Sequence, residues 1–199
     1  MNKSIEQTIK EQYSKIFEEK DWRHFKKIAE YYFETAATLR KKDIPSSNKN
    51  MKLLIRNTQK RLFLGVGCEL LVKSCYLKSG YFINKLKKTR SNNLIQFNDR
   101  EVSEFNEDNT MQLDFLIKNL NQIIIFKNWQ IIETGLKILK VYRNKEVHIT
   151  SKIHAFNEQD YRGIEKSIEQ LYKEAFNETI EFRISMTEND GKGVFEIKK

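Results

Sequence analysis

Residues 62–80 read LFLGVGCELLVKSCYLKSG. Apolar side chains recur here at the three- and four-residue intervals of an α-helix, and Glu69 precedes Lys73 by four positions, the order in which such a pair stabilises a helix. Gly80 suits the left-handed conformation that ends a helix. The helical pattern extends backwards along the chain, so the sequence predicts one long helix from about residue 50 to about residue 80.

The composition of the whole chain favours helices over strands. Its 199 residues include one proline and seven glycines, too few for the many turns of an all-β fold. The length and the 39% of apolar residues fit one folded domain with a core of ordinary size. We therefore expect a mainly α protein in which residues 1–199 form a single domain.

Periodicity places the other helices on either side of the long one. They are expected in the first forty residues, at 111–126, from 129 to about 150, and from about 158 to 178. Asp21 and Asn128 stand where N-caps are needed, because their side chains can accept hydrogen bonds from the first free backbone N–H groups of a helix.

Two segments do not follow the helical pattern. Residues 87–109 mix Lys, Ser, Asn, Asp and Glu with isolated apolar residues, which predicts a long inter-helix loop or insertion. Residues 179–199 alternate apolar and polar side chains around the turn signal Asn189-Asp190-Gly191. This alternation predicts a C-terminal β-hairpin, which must pack against the rest of the protein because an isolated hairpin is marginally stable.

The helix predicted to begin at residue 129 closes on RNKEVH, residues 143–148. This hexapeptide sets a cation, an amide and an imidazole close together, and such groups can hold and cleave a phosphodiester. With nine arginines, 17 asparagines and three histidines in the chain, an Arg-Asn pair with His at this spacing arises by chance roughly 0.01 times per chain. An ordinary role for His148, as a cation favoured at a helix C-terminus, remains the alternative.

RNKEVH resembles the Arg-(polar)-x3-His signature of the HEPN superfamily, the higher eukaryote and prokaryote nucleotide-binding domains. Residues 62–80 resemble an early helix of the same superfamily, in which an acidic residue, a Lys, a Leu and a closing Gly recur. In this chain those positions are Glu69, Lys73, Leu77 and Gly80. The resemblance implies an up-and-down helical bundle of the HEPN type and a homodimeric, metal-independent ribonuclease that leaves 2′,3′-cyclic phosphate and 5′-hydroxyl ends.

The resemblance implies that Arg143, Asn144 and His148 are catalytic. Histidine has an ordinary pKa of about 6.5, so His148 could take a proton from the RNA 2′-hydroxyl or give one to the leaving 5′-oxygen. Arg143 would bind the phosphate through two N–H groups, and Asn144 would orient His148 or bind a phosphate oxygen. Arg143 and His148 point about 140° apart on one helix. A cleft between two copies of the chain, which the resemblance implies, would bring them together.

Glu69 and Lys73 are candidate supporting residues of this site. Glu69 lies in an otherwise apolar stretch, and two interpretations are open. It forms a structural pair with Lys73 at the surface, which the helical spacing favours, or it is an inward polar residue near the site.

The net charge of +9 and the pI near 9.4 suit a polyanionic partner such as RNA. The abundance of Asn, Lys and Ile, a bias that low-GC genomes produce, accounts for the charge equally well. The densest basic run contains Lys85, Lys87, Lys88 and Arg90. These side chains either contact the RNA backbone or belong to a solvated helix end.

Several classes of protein are not expected. The chain has no apolar segment of membrane-spanning length and no secretion signal, so we expect a cytoplasmic protein that does not contact a membrane. No Cys/His cluster has metal-ligand spacing and no Gly-rich phosphate loop is present, so neither metal nor cofactor is expected. Cys68 and Cys75 are two helical turns apart, too far for a disulfide, and are expected in the core.

The leading prediction is an endoribonuclease that acts as a toxin or phage-defence effector, with RNA as substrate and an antitoxin or regulatory protein as a further partner. The first alternative is a non-catalytic HEPN-like module that binds RNA, a nucleotide or another protein. The second is a helical structural protein with no nucleic-acid role. Replacement of His148 by alanine separates the first two, because it abolishes cleavage and spares binding.

Overall fold

The computed structural model describes residues 20–87, 93–147, 158–184 and 193–198, together with positions 4, 5, 7, 8, 11 and 15. Its helices are α1 (Trp22–Thr38), α2 (Lys49–Lys78), α3 (Leu113–Ile123), α4 (Trp129–Val147) and α5 (Glu158–Leu171). A π-helical turn, Tyr172–Phe176, follows α5, and 3-10 turns lie at Lys41–Asp43 and Val102–Glu104. The strands are β1 (Asn84–Leu86), β2 (Phe105–Thr110), β3 (Thr179–Arg183) and β4 (Val194–Lys198). The predicted mainly α class is confirmed.

The long predicted helix is α2, and both of its ends have clear local causes. The side-chain oxygen of Asn48 accepts hydrogen bonds from the backbone N–H groups of Asn50 and Met51, which caps the first turn. At the other end, Gly80 has a φ of +82°, as the sequence predicted for a residue that closes a helix.

The two predicted N-caps differ in how they work. Asp21 precedes α1, and its carboxylate accepts the backbone N–H of Arg23 at 2.9 Å, which confirms the predicted cap. Asn128 precedes α4, and its backbone carbonyl accepts the first hydrogen bonds of that helix. The side-chain amide of Asn128, however, donates to the Glu174 carboxylate at 2.9 Å, so it joins α4 to the π-helical turn after α5.

The core lies between α2 and the helices on either side of it. Helix α2 packs against α1 and α4, and α4 packs in turn against α5. Cys68 and Cys75 are buried in this core as free thiols, as expected. Burial raises the pKa of both thiols, that of Cys75 to about 12, so both are protonated at neutral pH.

The C-terminal β-hairpin is confirmed. Strands β3 and β4 pair antiparallel, with Phe182 opposite Phe195. Alternate side chains of β3 and of the residue after it, Ile180, Phe182 and Ile184, are buried. The Phe182 ring lies 5.5 Å from the ring of Phe33 in α1, so the hairpin closes one side of the core. The predicted turn at residues 189–191 lies outside the described residues.

Helix α5 runs along the edge of β3 that does not pair with β4. The Glu169 carboxylate accepts the backbone N–H of Phe182 at 3.0 Å, and the Glu165 carboxylate accepts that of Ile184 at 2.6 Å. Burial raises the pKa of Glu165, and the hydrogen bond from Ile184 only partly offsets this effect. Two carboxylates one helical turn apart thus bind alternate N–H groups of one strand edge.

The prediction of a loop over residues 87–109 needs correction. The described part of this segment ends in the 3-10 turn and in β2, which pairs antiparallel with β1. The isolated apolar residues are the cause: the Phe105 ring stacks on Phe82 at 3.8 Å between ring centres, and Phe97 packs on Phe82 at 5.0 Å. Because these phenylalanines are far apart along the chain, they leave no periodic pattern in the sequence.

The predicted end of α4 near residue 150 is not reached within the described residues, where the helix runs to Val147. None of the helices in the described ranges has the length and apolar character that crossing a membrane requires.

Candidate functional site

The site is built where α4 crosses α2. At the crossing the two backbones come so close that only a glycine fits in α2: a Cβ atom added at Gly65 would lie 2.5 Å from the backbone nitrogen of Arg143. This contact fixes the position of Arg143 against the middle of α2. Gly65 was not predicted as a contact from the sequence, although a glycine inside an otherwise apolar helical run is a recognised signal of close packing.

Glu69, one helical turn after Gly65, binds the Arg143 side chain. Its Oε2 accepts a hydrogen bond from Arg143 Nε at 2.7 Å, and its Oε1 lies 2.9 Å from Lys73 Nζ. The predicted Glu69–Lys73 pair is present, but it lies mostly inside the protein and not at the surface as expected. The same carboxylate also contacts Arg143. The two stretches that carry the sequence resemblance, 74 residues apart along the chain, meet at this carboxylate.

The three charged groups form a partly buried cluster. The side chains of Glu69 and Lys73 are 16% and 10% exposed, whereas that of Arg143 is 37% exposed. Burial alone raises the pKa of Glu69, but the charges and hydrogen bonds of Lys73 and Arg143 outweigh burial and lower it below its usual value. Glu69 is consequently ionised at neutral pH, and the formal charges of the three groups sum to one positive charge.

The cluster also holds the insertion in place. Lys73 Nζ lies 3.3 Å from the hydroxyl oxygen of Thr110, the last residue of β2. A little further along, Lys140 of α4 pairs with Asp114 of α3 at 2.5 Å, which lowers the pKa of Asp114. Thr110 was not among the residues predicted from the sequence, and nothing in the local pattern of residues 105–110 indicated its contact with α2.

Of the other two signature residues, Asn144 touches the cluster only at its exposed edge. Asn144 is exposed, and its Oδ1 lies 3.5 Å from Arg143 Nη1, at the limit of a hydrogen bond. Val141, three positions earlier on the same face, is 38% exposed. Thus Arg143 faces α2 while Asn144 faces away from it. His148 lies outside the described residues.

The basic run near β1 has acidic neighbours. Lys85 is half-buried in β1, and the exposed Lys87 donates from Nζ to the backbone carbonyl of Ser103 at 2.7 Å. Lys88 and Arg90 lie outside the described residues. The partner strand and the turn before it belong to a stretch, residues 99–108, with five acidic residues and one basic residue. Of this run, Lys85 and Lys87 therefore lie beside an acidic segment.

In the described part of the chain, no group of three or more His, Cys, Asp or Glu side chains is placed to hold a metal ion. Comparisons with protein-family models, curated proteins and solved structures found no match to this chain.

Proposed function

We propose that this protein is a metal-independent endoribonuclease of the HEPN type. The observation that supports the proposal is the hydrogen bond between Arg143 and Glu69. It brings together the two sequence stretches, residues 62–80 and 143–148, that each resemble the superfamily on their own residues. The resulting cluster offers a partly exposed guanidinium with one net positive charge, which suits one phosphodiester.

In the proposed reaction the nucleophile is the 2′-hydroxyl of the RNA. His148 removes its proton or protonates the 5′-oxygen as the P–O bond breaks, and Arg143 binds the phosphate oxygens on which negative charge develops. Asn144 orients His148 or binds a phosphate oxygen. The products carry a 2′,3′-cyclic phosphate and a 5′-hydroxyl, and DNA is spared because it lacks the 2′-hydroxyl.

The proposed enzyme is a homodimer with a composite site. Arg143 and Asn144 approach each other at 3.5 Å, whereas an ideal helix directs His148 about 140° away from Arg143, so one copy of α4 does not bring Arg143 and His148 onto one phosphate. Two copies of α4 meeting across a twofold axis would place Arg143, Asn144 and His148 from both chains around one cleft. The proposed biological role is that of a toxin or phage-defence effector restrained by an antitoxin or regulatory protein.

The test is cleavage of total tRNA and mRNA by purified protein in EDTA, beside Arg143→Ala and His148→Ala. Arg162→Ala is the matched control, because Arg162 is an exposed helical arginine that pairs with Glu158 in α5, away from the cluster. We expect wild type and Arg162→Ala to cleave RNA and leave cyclic phosphate, His148→Ala to be inactive, and Arg143→Ala to retain a rate about a hundredfold below that of the wild type. Cleavage by His148→Ala at the wild-type rate would contradict the proposal.

An RNA that binds but is not cut would favour the non-catalytic module instead. The same samples then report binding by wild type and by Arg143→Ala at low and high salt, since phosphate contacts weaken steeply as salt rises.

A further inference from the structure

The way in which Glu69 binds Arg143 determines which part of the guanidinium is available. A guanidinium has five N–H groups, and those on the two Nη atoms form a fork that matches two oxygens of one phosphate. Glu69 takes the Nε–H group at 2.7 Å. The Nη atoms make no bond to Glu69; Nη1 lies 3.5 Å from Asn144 Oδ1, at the limit of a hydrogen bond, and a phosphate oxygen can replace that contact. The arginine side chain as a whole is 37% exposed.

Lys73 binds the carboxylate of Glu69, which in turn binds Arg143. It binds the second oxygen of Glu69 at 2.9 Å and reaches the Thr110 hydroxyl at 3.3 Å, while its own side chain is 10% exposed. Because both oxygens of this carboxylate are engaged, it does not compete with a phosphate for the Nη atoms of Arg143. Lys73 is too enclosed to be a second phosphate ligand, so its charge serves to neutralise Glu69.

We propose that Glu69, anchored by Lys73, is the positioning residue that fixes Arg143 with its Nη fork directed at an internal, monoanionic phosphodiester. This inference rests on the proposed function. It assigns Glu69 a role in the reaction through Arg143, without contact between Glu69 and the substrate. The single net positive charge of the cluster matches the single negative charge of a diester more closely than the two charges of a terminal phosphate.

The test uses Glu69→Gln, which keeps the shape of the side chain and removes its charge. A neutral amide accepts a weaker hydrogen bond from Nε, and its NH2 group is repelled by the Lys73 ammonium group, so Arg143 is no longer held. We expect kcat on RNA to fall about tenfold or more. KM should stay unchanged or decrease, because the net charge at the site rises by one.

Glu30→Gln is the matched control. Glu30 pairs with Lys26 at 2.5 Å and its side chain is 18% exposed, close to the 16% of Glu69, but it lies in α1 and touches none of the cluster. It should lose stability and keep its kcat. In the Arg143→Ala background, Glu69→Gln should lower kcat no further, because the residue that it positions is absent. A wild-type kcat for Glu69→Gln, or a full additional loss in the double variant, would overturn the inference.

A second measurement does not depend on catalysis. The Arg143 Nε–H resonance, assigned with Arg143→Lys, should exchange slowly with water in the wild type and rapidly in Glu69→Gln. Dimethyl phosphate, a monoanionic diester, should shift the Arg143 resonances at lower concentration in the wild type than in the variant. If the wild type cleaves no RNA, the proposed function fails, and these spectra still decide the role of Glu69. Identical Nε–H exchange and identical dimethyl phosphate affinity in both proteins would overturn it.

Discussion

Lys26 illustrates how much a single buried cation holds in place. Its ammonium group lies 2.5 Å from Glu30 and 2.7 Å from Glu178, and it stands over the rings of Tyr172 and Phe176. It thus joins α1 to the π-helical turn and to the residue before β3. Burial lowers the pKa of Lys26, but the hydrogen bonds and charges of Glu178 and Glu30 outweigh burial and raise it, so Lys26 is fully protonated at neutral pH.

We expect Lys26→Met to destabilise the protein by about 3 kcal/mol, because two partly buried carboxylates would be left facing each other without a cation. The free energy of unfolding in urea measures this effect. Lys137→Met is the control: Lys137 also pairs with a glutamate, Glu133, but its side chain is 60% exposed. It should change stability by no more than about 0.5 kcal/mol. Equal losses in the two variants would contradict the prediction.

Glu69 and Glu165 should respond to pH in opposite directions. The pKa of Glu69 is lowered by folding, so its stabilising contribution is present above the pKa of the unfolded chain and is lost as pH falls towards the folded pKa. The pKa of Glu165 is raised by folding, so the ionised carboxylate destabilises the folded protein at neutral pH, and this destabilisation disappears as pH falls and Glu165 is protonated. Relative to wild type, Glu69→Gln should therefore be less stable at pH 7 and Glu165→Gln equally or more stable.

Both differences from wild type should shrink as pH is lowered through the carboxylate range, because a protonated glutamate resembles glutamine. Urea unfolding of the three proteins from pH 7 to acid measures this convergence. A stability difference between wild type and Glu69→Gln that is independent of pH would exclude the ion pairs as its source.

At the scale of the elements, the crossing of α2 and α4 depends on the absence of a side chain at Gly65. Gly65→Ala should destabilise the protein by about 1–3 kcal/mol, since the new Cβ would lie 2.5 Å from the backbone of Arg143 and the helices must separate. It should also reduce RNA cleavage, because Arg143 moves with α4.

Gly163→Ala in α5 is the matched control for this change. A Cβ there would meet only Ile138 Cδ1, at 3.9 Å, so the helical preference for alanine should add up to about 1 kcal/mol of stability. Differential scanning calorimetry compares both variants with wild type. A stabilised Gly65→Ala would mean that the helices do not touch as described.

Local patterns predicted the elements whose causes are local. Residues within one helical turn of each other account for the end of α2 at Gly80, the cap at Asp21 and the Glu69–Lys73 pair. The hairpin follows from the alternation of apolar and polar residues along its strands. Strand β2 of the insertion was not predicted, because it depends on three phenylalanines that come into contact only in the tertiary structure. The close packing at Gly65 was not predicted because its contact, the backbone of Arg143, lies in another helix.

The candidate site also combines features with local causes, which could be predicted, and features with long-range causes, which could not. Its residue types and the position of Arg143 on a helix could be read from the sequence, since each depends on a short motif. The contact of Arg143 with Glu69 could not, because 74 residues separate the two and no spacing rule links them. The role of Thr110 beside Lys73 depends on how the insertion folds, and is a property of the tertiary structure alone.

For the whole molecule, the proposed composite site requires two copies of the chain. Light scattering coupled to size exclusion should give twice the 23.8 kDa chain mass. Val141→Asp, on the exposed face of α4 that also carries Asn144, should shift that mass towards the monomer and abolish cleavage together, because it buries two like charges at the contact. An active monomer would refute the composite site.

The net charge of +9 is unevenly distributed, and RNA binding should reflect this. We expect Arg143→Ala to reduce the dependence of RNA affinity on salt by about one phosphate contact. Lys87→Ala should leave it unchanged, since Lys87 donates to Ser103 and lies beside an acidic stretch. Fluorescence anisotropy of a labelled RNA over a salt series measures both slopes. A larger change in the salt dependence for Lys87→Ala than for Arg143→Ala would indicate that RNA binds along the insertion.

The two glutamates of α5 beside β3 have a consequence for how the protein behaves at high concentration. Four helical residues rise about 6 Å, close to the span of two strand residues, so Glu165 and Glu169 stand where the carbonyl oxygens of a third strand would stand. Their oxygens occupy the N–H groups of Phe182 and Ile184 through which a neighbouring molecule could extend the sheet. The hairpin is thereby protected along this edge from the intermolecular strand pairing that leads to aggregation.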